Sequence, residues 1–208
     1  MITGGGELTA KGEARSNFAA QHLAAAEYFR GQVVEIETMC SPSKETFAPP
    51  EYQHCWFAAV VFAVMAMEAN AHDLMTAAER KEASPIGTRR FRIEDLRKPL
   101  LERYKLLHQV AKAGAKLPIE KGVGQDARGL VRLRDEIVHY KTEWRSNPIV
   151  SKRIEDLLRT RIPLNPFKCG DIFFPEQCIS GGSAQWAIDT ARGFIEMFAK
   201  ITAFRLMI

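Results

Sequence analysis

Three polar side chains in residues 129–144 (GLVRLRDEIVHYKTEW) are of types that can carry out acid–base and phosphate chemistry. The imidazole of His139 is a group that can both accept and donate a proton. A guanidinium such as Arg134 stays charged and grips phosphate oxygens in a fork. On a helix, Asp135 and His139 are about 40° apart around the axis and can touch. Arg134 and His139 are about 140° apart and roughly 7.5 Å apart along the axis, so they can flank a cleft whose opposite wall comes from another element or subunit.

The same residues also have a purely structural interpretation. Arg134 and Asp135 can form an exposed ion pair, and Arg132 with Glu136 has the i,i+4 spacing of an ordinary helical ion pair. A lone histidine such as His139 is more often a hydrogen-bonded interface residue than a catalyst. Residue types and spacing alone therefore leave both interpretations open.

This stretch resembles the signature of the HEPN superfamily, all-α domains named for nucleotide binding in higher eukaryotes and prokaryotes. The signature is an Arg, a polar residue, three or more other residues and a His, on a helix late in the bundle. This chain has Arg134, Asp135, residues 136–138 (EIV) and His139. Residues 65–74 (MAMEANAHDL) also resemble the second helix of many members, where an apolar run leads into Glu-x-x-Asn or Glu-x-Asn. Elsewhere the resemblance rests on helix order and length.

The resemblance implies metal-independent RNA cleavage by a homodimer, whose two copies build one composite site and require no cofactor. His139 would act on the ribose 2′-hydroxyl or on the leaving 5′-oxygen as general base or acid. Arg134 would hold the scissile phosphate, and Asp135 would orient the pair. The products would end in 2′,3′-cyclic phosphates. Such an enzyme would be a toxin or a defence effector, a role that is compatible with an antitoxin or another protein partner.

Four further residues are predicted to bind the substrate: Glu68, Asn70, Tyr140 and Lys141. Glu68 and Asn70 interrupt an apolar helix, where unpaired polar groups are costly, so they lie at a helix end or turn toward the site. We favour the second arrangement. In the branch of the family that is paired with nucleotidyltransferases, a tyrosine stands two residues after the histidine. Here Tyr140 follows His139 directly and Lys141 takes the second position, so that toxin–antitoxin mode of control is not assigned.

Two other functions stay open at this stage. A non-catalytic HEPN-like helical module for dimerisation, nucleotide binding or partner binding fits the same pattern, since no second catalytic domain is present. An unrelated helical regulator is less favoured, because no helix-turn-helix pattern with a clear recognition helix occurs. RNA cleavage in EDTA would indicate the ribonuclease, whereas tight binding of a nucleotide or partner without cleavage would indicate the module.

The elements that position these residues are predicted to be helices throughout. Apolar residues recur at helical spacing, and no alternating strand pattern is found. We expect an all-α, antiparallel up-down bundle of four to six helices, formed by one HEPN-like domain over residues 1–208. Proline and glycine signals set the boundaries of the helices and of one irregular loop. The predicted helices cover residues 11–39, 50–81, 93–113, 124–145, 150–160 and 183–206, and the loop covers residues 161–182.

Charge is distributed unevenly along a chain of average composition. The 208 residues are 46% hydrophobic and 26% charged, which excludes disordered and collagen-like proteins. Residues 1–79 carry a net charge of −6 and residues 80–208 a net charge of +10. The densest basic stretch, residues 80–105, has nine basic and four acidic residues and would attract phosphates. A solvated helix face is the alternative explanation.

Cysteine spacing and hydropathy bear on metals and location. Cysteines 40, 55, 169 and 178 lack the close spacing of zinc ligands, so no metal site is predicted. The apolar run of residues 55–67 is 13 residues long, whereas a membrane span needs about 20. We therefore predict a buried core helix, no membrane association and a cytoplasmic protein with reduced thiols.

Overall fold

The described part of the chain is all-α, as predicted. The computed structural model describes residues 17–40, 42–43, 46–79, 91–111, 114, 116–139 and 148–202. Within these ranges there is no β-strand, and a single isolated bridge joins Phe47 to Lys168. The helices are α1 (Phe18–Met39), α2 (Pro50–Glu79), α3 (Ile93–Leu96), α4 (Leu100–Val110), α5 (Val123–Val138), α6 (Pro148–Leu158) and α7 (Gly181–Thr202).

Helices α1 and α2 form an antiparallel hairpin. The Asn17 side chain caps α1 by accepting a hydrogen bond from the backbone N–H of Ala20 at 3.0 Å. Near the end of α1, Glu37 accepts a hydrogen bond of 2.6 Å from the hydroxyl of Tyr52, near the start of α2. Pro50 opens α2 in the first turn, where the missing N–H has no helical partner to lose.

Helix α2 is the central helix of the core. Its buried face includes small residues that bring neighbouring helices close, and the Trp56 side chain is fully buried. The indole N–H of Trp56 donates to Ser183 Oγ at 2.7 Å, which links α2 to α7. Further along α7, the rings of Phe194 and Phe198 pack edge-on against Tyr104 of α4, at 4.9 and 4.8 Å.

One side of α2 departs from the predicted burial on nearly all sides. Phe62 on this side packs against α1, where its ring stacks on Phe29 at 5.7 Å. Six apolar residues here are only partly buried: Phe57, Ala58, Val61, Phe62, Met65 and Ala69. By length and composition the segment Pro50–Ala78 could also cross a membrane. Half of its most apolar 18-residue window is buried inside the fold.

The predicted helix over residues 93–113 is wrong in one respect, since it is two helices. Helix α3 ends at Leu96, and α4 begins at Leu100. Pro99 has no N–H to donate and disfavours helical geometry in Lys98 before it, so the backbone turns between them. This break raises the six predicted helices to seven within the described ranges.

The predicted irregular loop 161–182 is irregular in backbone but well packed. It contains a π-helical turn, Phe173–Gln177, with an extended residue at Phe174. Asn165 anchors the turn, because its backbone N–H donates to the Gln177 carbonyl at 2.7 Å. The aromatic rings of Phe167, Phe173 and Phe174 are buried beneath the helices. Three aromatic anchors thus hold a segment that has little regular structure.

Candidate active site

Arg134 of the predicted motif lies between two carboxylates. Its Nη2 donates to Glu68 Oε1 of α2 at 2.5 Å, and its Nη1 is 3.3 Å from Asp135 Oδ1. The Arg134 side chain is 21% exposed, so solvent reaches the guanidinium from one side. The structure therefore brings together Arg134, Asp135 and Glu68, and Glu68 turns toward the motif as favoured from the sequence.

A second arginine belongs to this cluster and was not predicted. Arg103 of α4 places its Nη2 3.9 Å from Glu68 Oε1, and its side chain is 13% exposed. Its Nε is buried and has no hydrogen-bond partner in the described part of the chain. The signal in the sequence was indirect, because Arg103 is one of nine basic residues in the stretch 80–105.

Asn70 turns away from the arginines into the core. Its Oδ1 accepts a hydrogen bond of 2.9 Å from the hydroxyl of Tyr104, which also lies 3.0 Å from the carbonyl oxygen of Met67. Burial raises the pKa of the Tyr104 hydroxyl far above its ordinary value, so Tyr104 stays a donor. Asn70 itself is buried, which argues against the predicted contact with a substrate. Residues two apart point about 200° apart on a helix, so Glu68 and Asn70 face different sides.

His139 lies at the C-terminal end of α5 and is exposed. Its backbone N–H donates to the Asp135 carbonyl oxygen at 2.9 Å. Among the described residues, the Asp135 carboxylate contacts Arg134 and makes no contact with the His139 ring. The Asp135 carboxylate therefore lies beside Arg134, and its role in orienting both residues stays a prediction. The imidazole of His139 is open to solvent and to a second molecule.

Glu136 adds a carboxyl group near His139. Partial burial raises its pKa, and the nearby charges of Arg132 and His139 oppose this shift. The sequence suggested only an ion pair with Arg132. Burial therefore makes the Glu136 carboxyl costly to ionise, while the neighbouring charges reduce that cost.

Several predicted residues lie outside the described ranges. These include Tyr140 and Lys141, and also residues 80–90, which hold part of the basic stretch. No group of three or more His, Cys, Asp or Glu side chains within the described ranges is arranged to hold a metal ion. The side chains that are described can bind an anion and move a proton.

A cleft of about 900 Å³ lies elsewhere, between the α1–α2 connection and the segment before α7. Its walls include Phe47, Tyr52, Lys168, Cys169 and Glu176, and none of the predicted site residues. The ring of Phe47 is 70% exposed, and the Lys168 ammonium sits 4.8 Å from its centre. This cleft has the size of a small-molecule site.

Comparison with known protein families, characterised proteins and solved structures gives no match to this chain. Arguments about its function rest on the residues and on their geometry.

Proposed function

We propose that the chain is a metal-independent endoribonuclease of HEPN type that acts as a homodimer, with an antiparallel up-down bundle like that of the HEPN domains. The arrangement of Arg134 carries the proposal. It is a partly exposed guanidinium fixed by Glu68 and Asp135, on the helix that ends in the exposed His139. Such a site offers an anion-binding group and a proton-transfer group on one surface.

In the proposed reaction, the ribose 2′-oxygen attacks the adjacent phosphorus, and the bond from phosphorus to the 5′-oxygen breaks. One His139 accepts the 2′-hydroxyl proton, and a second His139 donates a proton to the leaving 5′-oxygen. Arg134 neutralises the extra negative charge on the phosphoryl oxygens in the transition state. The products are a 2′,3′-cyclic phosphate and a free 5′-hydroxyl, and DNA is spared because it lacks the nucleophile.

The apolar side of α2 supports a second copy as the partner. Each chain supplies one His139, whereas this reaction uses a base and an acid. Val61 and Met65 are half-buried on the same side of α2 as Glu68, next to the candidate site. An isologous interface there would bury apolar surface and bring two Arg134 residues and two His139 residues close together.

The test is RNA cleavage in EDTA by the purified protein and by His139→Ala, with mapping of the new ends. We expect the wild type to leave cyclic phosphates and His139→Ala to lose at least about 100-fold in rate. His54→Ala is the matched control, since His54 is exposed on α2 and outside the cluster. Equal rates in wild type and His139→Ala would contradict the proposal, as would intact RNA in every reaction.

The cleft beside Phe47 favours a second candidate function, a non-catalytic module that binds nucleotides. An exposed aromatic ring can stack on a base, and the ammonium of Lys168 can pair with a phosphate. Calorimetric titration of nucleoside phosphates into the wild type and Phe47→Ala would test it. Binding that is lost in Phe47→Ala, together with intact RNA in EDTA, would favour the module over the ribonuclease.

A further inference from the structure

Glu68 holds two arginines that come from different helices. Its Oε1 is 2.5 Å from Arg134 Nη2 on α5 and 3.9 Å from Arg103 Nη2 on α4. The Glu68 side chain is 35% exposed, more than either arginine. Glu68 is therefore the side chain of the three that solvent reaches most easily.

The two arginines are not equally satisfied. Arg134 has one nitrogen on Glu68 and another near Asp135. Arg103 has only the long contact to Glu68, and its buried Nε has no hydrogen-bond partner among the described residues. A guanidinium carries five N–H donors in a fixed fork, and for Arg103 the Nε donor is buried without a partner in the described part of the chain, while Nη2 has only the long contact to Glu68. Most buried polar groups are hydrogen-bonded, so a buried donor that lacks a partner in the described ranges, beside a second guanidinium, marks a position where an anion could bind.

A phosphodiester has the properties that the cluster lacks. It carries one negative charge, as a carboxylate does, and two non-bridging oxygens that accept hydrogen bonds from arginine forks. Because Glu68 is reached from solvent, an incoming phosphate can displace it without opening the core. When Glu68 is displaced, Nη2 of Arg134 becomes free to bind the phosphate, and the phosphate oxygens give Arg103 a closer acceptor than Glu68 does.

We propose that Arg103 is a second phosphate-binding residue of this site, and that Glu68 is an internal substitute for the RNA phosphodiester that lowers its affinity. The assignment of RNA rests on the proposed function, whereas the anion site itself rests on the geometry of Glu68, Arg103 and Arg134. Glu68 keeps the two arginines in place in the free protein and competes with the substrate when it binds.

The test measures binding of a single-stranded RNA that carries 2′-O-methyl groups at every position and so cannot be cleaved. Fluorescence anisotropy gives Kd at several salt concentrations. We expect Arg103→Gln to weaken binding about tenfold and to reduce the salt slope by about one, as for one lost phosphate contact. Glu68→Gln keeps an acceptor for Arg134 but removes the competing charge, and should strengthen binding about threefold or more.

Lys105→Gln is the matched control. Lys105 lies on the same helix, and its substitution removes the same charge, but its side chain is exposed and paired with Glu102. We expect it to change Kd less than about twofold. Equal effects of Arg103→Gln and Lys105→Gln would overturn the proposal, and so would weaker binding by Glu68→Gln or a wild type that does not bind.

If Arg103→Gln does not fold, a second variant still tests the proposal. Arg103→Lys keeps the charge and loses the fork, and should weaken binding with little change in salt slope. The result is also separate from cleavage, because the probe cannot react. Cleavage of ordinary RNA with no effect of Arg103→Gln would overturn this inference alone. Binding effects as expected, with ordinary RNA left intact, would overturn the ribonuclease alone.

Discussion

The Tyr104 hydroxyl connects α4 to α2 within the core. Tyr104→Phe removes the O–H that is within hydrogen-bond distance of both Asn70 Oδ1 and the Met67 carbonyl oxygen, and it leaves the buried amide oxygen of Asn70 without this donor. We expect the free energy of unfolding to fall by about 1–3 kcal/mol in urea titrations. Tyr28→Phe is the control, since Tyr28 is 63% exposed, and it should stay within about 0.5 kcal/mol. A loss of equal size at both positions would contradict this account of Tyr104.

Glu136 makes the stability of the fold depend on pH. Its pKa is raised in the folded state by partial burial, so the fold favours the neutral carboxyl. The stability from this group is present below the pKa of the unfolded chain, about 4.3, and is lost as pH rises through the folded value. Glu136→Gln should therefore have a higher Tm than the wild type at pH 7, and this difference should shrink toward pH 4.

Thermal unfolding of both proteins at pH 4 and pH 7 checks this expectation. Glu94→Gln serves as the control, because Glu94 is exposed on α3. A difference between Glu136→Gln and wild type that is the same at both pH values would show that packing and not ionisation is responsible.

Single residues of the site were predictable to different degrees. The types and spacing of Arg134, Asp135 and His139 mark them as candidates, and Glu68 stands out because it interrupts an apolar helix. Its pairing with Arg134, 66 residues away, depends on how α2 and α5 pack, which spacing within one helix does not determine. Arg103 was missed for the same reason, because only the packing of α4 brings it to Glu68.

At the scale of elements, the start of α5 depends on a close backbone approach at Gly124. A Cβ at Gly124 would lie 2.0 Å from the Pro118 carbonyl oxygen, so Gly124→Ala must push the chain before α5 away. We expect a loss of about 1–3 kcal/mol or more in stability. Gly31→Ala in α1 meets nothing within 4 Å and should gain about 0.5–1 kcal/mol. Denaturant titrations of both variants would check the opposite signs, and a neutral Gly124→Ala would contradict this packing.

The positions of most helices could be predicted from the sequence, whereas the breaks within and between them were harder to predict. Apolar spacing continues from Leu96 to Leu100, so the pattern alone reads as one helix across Pro99. The helix nevertheless breaks before Pro99, because the effect of proline on the backbone outweighs the apolar spacing. The buried π-helical turn Phe173–Gln177 was predicted only as loop, because prolines and glycines indicate irregularity but not how aromatic residues will pack.

At the scale of the whole molecule, the proposed homodimer depends on the exposed side of α2. Met65→Glu places a charge within that surface, where burial against a second copy would be costly. We expect its dimer Kd to rise at least about tenfold in sedimentation equilibrium, with RNA cleavage falling in parallel. Ala24→Glu is the control, because Ala24 is exposed on α1 and about 200° around that helix from His22, which packs near Phe62. A wild type that stays monomeric would contradict the composite site.

The uneven charge of the chain also appears in the fold. Carboxylates of the acidic first part pair with arginines of the basic remainder, as Glu27 does with Arg192 at 3.0 Å and Glu68 with Arg134. The sequence indicated the imbalance and an attraction to phosphates. It did not indicate that some of these charges neutralise one another in ion pairs between helices, because that depends on which helices pack together.

The order in which the chain is made has a consequence for when its core can form. Glu37 accepts a hydrogen bond from the backbone N–H of Gly181, 144 residues later, and Trp56 bonds Ser183, 127 residues later. A nascent chain that has not yet produced α7 leaves the central face of α2 open to water. Since ribosomes add about 5–20 residues per second, α5 emerges seconds before the helix against which it packs. The core that supports the candidate site is therefore completed only after residues 181–202 have been synthesised.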